Sequence, residues 1–209
     1  MFTLYARPGS GSVAVEALLA EIGVEFRIED LLKLDDGSLP ASVFKVNPRG
    51  EIPALRLPDD SVMTESAAMM IYLSDLFPAA GLAPSLTSPQ RAAYLRWMLY
   101  FASSVYMADL RYFYPVRYST DPSHAASIKS KAAEHMARDF AIFADELGSK
   151  KFILGDQFSA VDIYAAMLVS WDPDLEVLFT RHPNLKVHYA AVAVRPKISP
   201  VWLRNKMPS

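Results

Sequence analysis

The chain has no cysteine and only four histidines among its 209 residues. The first absence excludes a disulfide framework, a protein thiolate nucleophile and a zinc-thiolate site, so any thiol chemistry has to arrive with a ligand. His124, His135, His182 and His188 show no paired helical spacing, which assigns them to solvent or to helix caps, and no metal is expected. Charge of one sign is also scarce. The 21 Lys and Arg against 23 Asp and Glu leave a net charge of −2, and no long basic run offers a surface to nucleic acid or to an anionic membrane. No apolar stretch reaches the ~20 residues that cross a bilayer. Met1 leads straight into a strand-like segment without a charged or apolar leader, so a cytoplasmic location is the expectation. A phosphate loop and a nucleophile elbow are missing too, which removes kinase and hydrolase readings.

What is present is a chain with 52% hydrophobic residues, enough to bury a sizeable core without cross-links. Its first part alternates short β-branched or aromatic runs (Phe2 to Tyr5, Val24 to Ile28, Ala54 to Leu57, Ser61 to Thr64) with helical stretches, the pattern of an α/β unit. The order reads strand, helix, strand, helix, hairpin, helix. Pro78, Gly81, Pro84 and Pro89 then break all periodicity between Leu76 and Pro89, and everything beyond looks helical. The expected organisation is therefore an α/β domain over residues 1–80 and an all-helical domain over 87–209.

From Ser88 to Tyr114, Tyr94, Met98, Phe101, Val105, Ala108 and Tyr112 form one apolar stripe along a long helix. Leu95, Leu99, Ala102, Tyr106 and Phe113 form a second beside it. A helix apolar over so much of its circumference is buried on more than one side, which a subunit interface achieves as readily as a core. Ile128, Ala132, Met136, Phe140, Phe143 and Leu147 mark the next helix, ending near Gly148.

The most informative stretch is Asn47-Pro48-Arg49-Gly50-Glu51-Ile52-Pro53-Ala54-Leu55, followed by a polar turn and by Thr64-Glu65-Ser66-Ala67 at the start of an apolar helix. Pro53 cannot donate to a ladder and so fits a strand entry. A cis Ile52-Pro53 bond would turn the backbone groups of Ile52 outward, where a small peptide could pair with them. Ser66 stands where a helix N-cap is expected, and the amide groups there suit a carboxylate. At the amino end, Leu4-Tyr5-Ala6-Arg7-Pro8-Gly9-Ser10-Gly11-Ser12 reads as a strand, a Pro-Gly turn and two serine N-cap candidates before a helix that stops near Gly23. Further along, Ser159 and Asp162 have the spacing of a capping box.

Taken together, these motifs resemble the cytosolic glutathione S-transferase superfamily of the bacterial type, in both halves of the chain. The resemblance implies a thioredoxin-like first domain that binds glutathione, and a homodimer serving detoxification. It places the cysteinyl backbone beside Ile52 and Pro53, and the γ-glutamyl carboxylate at Glu65 and Ser66. Arg49 and Lys33 are candidates for the glycyl carboxylate, each with an alternative as a solvated cation. The thiol-activating hydroxyl is Ser10 or Ser12. Ser10 fits the register of theta-like and delta-like members and Ser12 that of beta-like ones, in which Gly11 takes the cysteine position; Tyr5 lies too early. Either serine could instead be only a helix cap. Ser103, Tyr106 and Tyr114 are candidates for contact with the electrophile or a partner subunit. Ala67 stands where some members have an arginine. The implied reaction is thiolate addition to small apolar electrophiles. Glutathione-dependent reduction of a disulfide or peroxide, or a non-catalytic binding role, stands as the alternative.

Overall fold

The alternating runs of the first half form a four-stranded sheet in a computed structural model that describes residues 1–35, 37–38 and 40–208. Strand β1 (Phe2–Ala6) runs parallel to β2 (Phe26–Asp30) and antiparallel to β3 (Ala54–Arg56); β4 (Val62–Met63) completes the order β2-β1-β3-β4. Helix α1 (Ser12–Ile22) links β1 to β2, a four-residue helix α2 (Val43–Val46) precedes β3, and α3 (Ser66–Leu76) follows β4. α1 and α3 pack against each other. The run Val13 to Leu19 on α1 and Ala67, Met69, Met70 and Leu73 on α3 are buried, as are Leu4 and Leu55 of the sheet. α1 ends where the sequence indicates, because Gly23 takes the left-handed conformation (φ 83°) and its N–H bonds the Leu19 carbonyl.

The second unit is helical: α4 (Arg91–Tyr100), α5 (Tyr106–Phe113), α6 (Ala125–Leu147), α7 (Ala160–Val169), α8 (Leu175–Arg181) and α9 (Pro183–Ala193). All ten residues of α7 are buried, as expected of a helix apolar all round. Its start is held by Asp162. One oxygen accepts from the N–H and the hydroxyl of Ser159, both at 2.9 Å; the other accepts from the Ile153 N–H at 2.9 Å and pairs with His188 Nε2 at 3.0 Å. The capping-box expectation holds, whereas the histidine expectation needs correcting at His188. That ring is buried against Phe143 and Phe152, with Nε2 paired to the Asp162 carboxylate and Nδ1 without a hydrogen-bond partner among the described residues.

The long helix expected from Ser88 to Tyr114 starts at Arg91, and a π-helical segment, Phe101–Val105, joins its two halves. The first stripe is buried from Tyr94 through Ala108, while Leu99 and Phe113 of the second are exposed in the single chain. Ser103, in the π segment, donates its hydroxyl proton to the Leu99 carbonyl at 2.7 Å, the back-bonding that loosens an α-helical ladder.

One turn beyond the π segment, Asp109 is 1% exposed, and neither carboxylate oxygen has a hydrogen-bond partner among the described residues. Burial, reinforced by the charge of Asp172, holds its pKa well above the usual carboxylate range. Above the ordinary value near ~4, the unfolded chain therefore loses this proton before the folded one does. Stability falls as pH rises toward the raised value, by up to about 1.4 kcal/mol per pH unit. Asp109→Asn, neutral in both states, is expected to flatten that fall in urea midpoints taken from pH 5 to pH 8. Parallel curves for variant and wild type would show that the folded protein carries Asp109 ionised.

Contacts divide the chain into Thr87–Val192 and a unit made of Met1–Leu86 with Ala193–Ser209. In place of two consecutive stretches, the last segment belongs with the first domain. It does so because α10 (Ser199–Arg204) lies on α1 and the segment is ion-paired to the first domain: Arg204 bonds Glu16 of α1 at 2.8 Å and Asp30 of β2 at 2.7 Å, and Arg195, ahead of α10, grips Glu21 through two bonds of 2.9 and 3.0 Å. Among the described residues, no helix is long and apolar enough to cross a membrane, and no group of three or more His, Asp or Glu is placed to hold a metal.

Candidate functional site

Sheet register brings the sequence motifs of the first unit together. Tyr5 pairs with Ala54 and Leu55 with Met63, so the end of β1, the entry to β3 and the end of β4 lie along one edge. α1 leaves the sheet from that edge after β1, and α3 leaves it after β4. Two eleven-residue helices thus present their amino-terminal N–H groups and partial positive charge on the same side of the sheet, an arrangement suited to a peptide carrying carboxylates. The Ile52-Pro53 bond between these helix starts is cis, as the sequence suggests. Ile52 packs on Tyr5, Leu31, Val43 and Ala54, and the ladder of β3 begins only at Ala54, leaving residues 51–53 outside it.

The turn before α1 departs from expectation. Gly11, not a serine, occupies the N-cap position of α1, and no side chain caps the helix. The serine hydroxyls fold back instead. Ser10 Oγ donates to the Arg7 carbonyl at 2.7 Å, Ser12 Oγ reaches the same carbonyl at 3.0 Å and accepts from the Arg7 N–H at 3.2 Å, and the two hydroxyl oxygens are 3.0 Å apart. The cause is the tight turn through Gly9 (φ 70°), whose Arg7 carbonyl faces the serines and meets their short side chains before α1 does. Ser12 is 0% exposed and Ser10 7%. Tyr5 is also buried, and its hydroxyl accepts a hydrogen bond from Arg56.

Ser66 is likewise not the cap: it is the first helical residue of α3, and Glu65 precedes it at φ 66°. A left-handed non-glycine residue costs on the order of 1 kcal/mol and persists where surrounding structure imposes it. Here it makes the sharp turn that carries the chain from β4 into α3, and the exposed Glu65 carboxylate stands beside the helix start. Arg49 belongs to this neighbourhood. Its guanidinium, 70% exposed, makes a two-point pair with Glu51 at 2.8 and 3.2 Å, and hydrogen bonding and charge from Glu51, with a smaller contribution from Glu65, push its pKa up. Lys33 lies exposed in the loop after β2.

Ser103, Tyr106 and Tyr114 belong to the second unit. Tyr106 is half-buried, with its ring edge-on to Trp171 at 5.2 Å, and the Arg117 guanidinium lies 4.2 Å over the Tyr114 ring. Sequence reasoning missed the residues that secure the serine turn from outside. Asn205 and Glu16 carry no motif, and only the unusual burial of a charged residue in an otherwise apolar α1 face could have singled out Glu16.

The chain matches the glutathione S-transferase N-terminal domain over residues 12–76 and the glutathione S-transferase C-terminal domain over residues 105–196. It is similar to the uncharacterized GST-like protein YncG of Escherichia coli K12, 26% identical over 99% of this chain and 100% of that protein. Glutathione S-transferase GstA of Escherichia coli O157:H7 is also 26% identical, over 93% and 94% of the two chains. Among solved structures, a glutathione transferase homolog from Sulfitobacter with bound glutathione superposes with a TM-score of 0.88 at 26% identity, covering 100% of this chain and 99% of its own. A sphingomonad glutathione S-transferase complexed with glutathione gives 0.83 at 27%, covering 99% and 100%. With both halves matched by the family's own domains on a thioredoxin-like sheet followed by helices, the chain belongs to the glutathione S-transferase superfamily, of the bacterial type.

Proposed function

We propose that this protein binds glutathione at the shared edge of its sheet and transfers the thiolate to small apolar electrophiles. The observation that carries the reading is the convergence of the α1 and α3 amino termini on either side of the cis Ile52-Pro53 segment. Backbone left outside the ladder at 51–53 can pair with the cysteinyl unit as an added strand does. Glu65 can receive the γ-glutamyl ammonium, and the N–H groups with the Ser66 hydroxyl its carboxylate. Arg49 and Lys33 are the cations for the glycyl carboxylate, Arg49 after exchanging its pairing with Glu51. The two similar structures that hold glutathione support the ligand.

Ser10 is the proposed donor to the thiolate, being the less enclosed of the two serines. When its proton turns from the Arg7 carbonyl to the sulfur, Ser12 Oγ still serves that carbonyl, so the turn loses no essential bond. A thiolate generated this way attacks an electrophile directly, and a protein cysteine is not needed. We further propose a cytoplasmic homodimer, supported by exposed Leu99 and Phe113 on the second apolar stripe, with Ser103, Tyr106 and Tyr114 as contacts for the electrophile or partner subunit. Sedimentation at micromolar concentration reads this directly, and a monomer would remove the partner-subunit role.

Calorimetry with glutathione, followed by turnover of a nitroaryl halide, tests the function. Binding together with turnover above the blank is expected. Binding without turnover would leave a carrier, and no binding would end the reading. Ser66→Ala is expected to weaken glutathione by about 1–2 kcal/mol, the loss of one hydrogen bond to a charged acceptor partly offset by water. Unchanged affinity in the folded variant would take Ser66 out of the site.

A further inference from the structure

The Asn205 side chain reaches the serine turn from outside it, and we propose that Asn205 is a positioning residue for thiol activation, acting through the Gly9 amide. The proposal rests on reading Ser10 as the donor to the bound thiol. Asn205 is buried at the end of α10, and its side chain is almost fully used: Nδ2 donates to Glu16 Oε2 at 3.0 Å and to the Val201 carbonyl at 2.9 Å, and Oδ1 accepts from the Gly9 N–H at 3.4 Å. The orientation of the amide follows from its neighbours. Both amide protons face acceptors, a carboxylate and a carbonyl, and the oxygen faces the Gly9 N–H.

Glu16 lies one turn into α1 from Ser12, and Gly9 immediately precedes Ser10. Asn205 therefore spans from the helix to the turn that leads into it, and fixes the angle at which Ser10 is presented over the helix start. The approach is close at the backbone as well: a Cβ on Gly9 would lie 3.8 Å from the Asn205 carbonyl. The other links from the same segment do not reach the turn. Arg204 holds Glu16 and Asp30, Arg195 holds Glu21, and Lys197 donates to the Glu21 carbonyl at 2.8 Å. They dock the segment on α1. Asn205 alone among these contacts touches the turn, which separates positioning from docking experimentally.

The test combines residue-resolved hydrogen exchange in the full chain with titration of the ultraviolet thiolate band of bound glutathione. In the wild type the Gly9 amide is expected to be protected. Asn205→Ala is expected to speed its exchange about tenfold, to raise the apparent pKa of the bound thiol by about half a unit to one unit, and to lower kcat at pH 6.5 with KM for glutathione within about twofold. Arg195→Ala, which removes the pair with Glu21 and leaves Glu16 and Asn205 untouched, should lower the melting temperature and move neither readout. An equal thiol shift in Arg195→Ala would reduce Asn205 to docking and overturn the proposal. If Asn205→Ala does not fold, exchange at the Gly9 amide of the wild type decides. An unprotected Gly9 amide in the wild type overturns it without any variant. If the wild type binds no glutathione, the proposed function fails, and the exchange measurement still decides whether Asn205 holds the turn.

Discussion

Asp162→Ala is expected to destabilise the helical unit by about 3–5 kcal/mol, because it removes the acceptor for four groups at once. The Ser159 amide and hydroxyl, the Ile153 amide and the His188 ring all converge on this carboxylate, and all four lie in the interior. Two terms combine. Loss of the cap on α7 costs about 1 kcal/mol, and each buried donor left without a partner adds on the order of 1 kcal/mol or more. For a chain of this size the change corresponds to a fall in melting temperature of roughly 10 °C. Asp162→Asn should fall between the two, since the amide oxygen can still accept on one side while its NH2 opposes donors on the other. Urea unfolding of the three proteins measures the series. A loss below ~1 kcal/mol in Asp162→Ala would mean that water replaces the carboxylate and that the hub is ordinary capping.

Ser10→Ala is expected to cut turnover at pH 6.5 by roughly 5- to 50-fold. A free thiol titrates near ~8.5, and holding it half-ionised at pH 6.5 requires about two units, or roughly 2.7 kcal/mol of preference for the thiolate. A hydroxyl bonded to a charged acceptor contributes ~1.5–3 kcal/mol, so its removal returns about one to two of those units, and amides at the start of α1 supply the remainder. Glutathione affinity should change far less, since most contacts lie at the carboxylates. Ser12→Ala should act differently. It strips the Arg7 N–H of its acceptor and costs about 1–3 kcal/mol of stability, with a small effect on the thiol. Titration of the thiolate band in both variants decides the assignment. The opposite pattern would give Ser12 the donor role; an unchanged titration in both would leave the task to backbone amides alone.

The sequence alone determines the parts of this protein written in local pattern. Alternating apolar runs define the strands, although β2 begins two residues later than its apolar run suggests, and the four-and-three spacing of Tyr94, Met98, Phe101, Val105 and Ala108 defines a buried stripe even across a π segment. Pro53 as a strand entry and the Ser159-Asp162 capping box are equally legible, because a ring without an N–H and a carboxylate three residues from a cap each act on their own neighbours. Tertiary structure decided the rest. Whether Ser10 and Ser12 cap a helix or bond the Arg7 carbonyl depends on the turn geometry at Gly9, and the left-handed Glu65 depends on how β4 must hand over to α3. The partners of Asp162, Glu16 and Gly9 include His188, Arg204 and Asn205, and such pairings between distant residues leave no trace in a local pattern, because burial and partner are set together only when the chain has closed on itself.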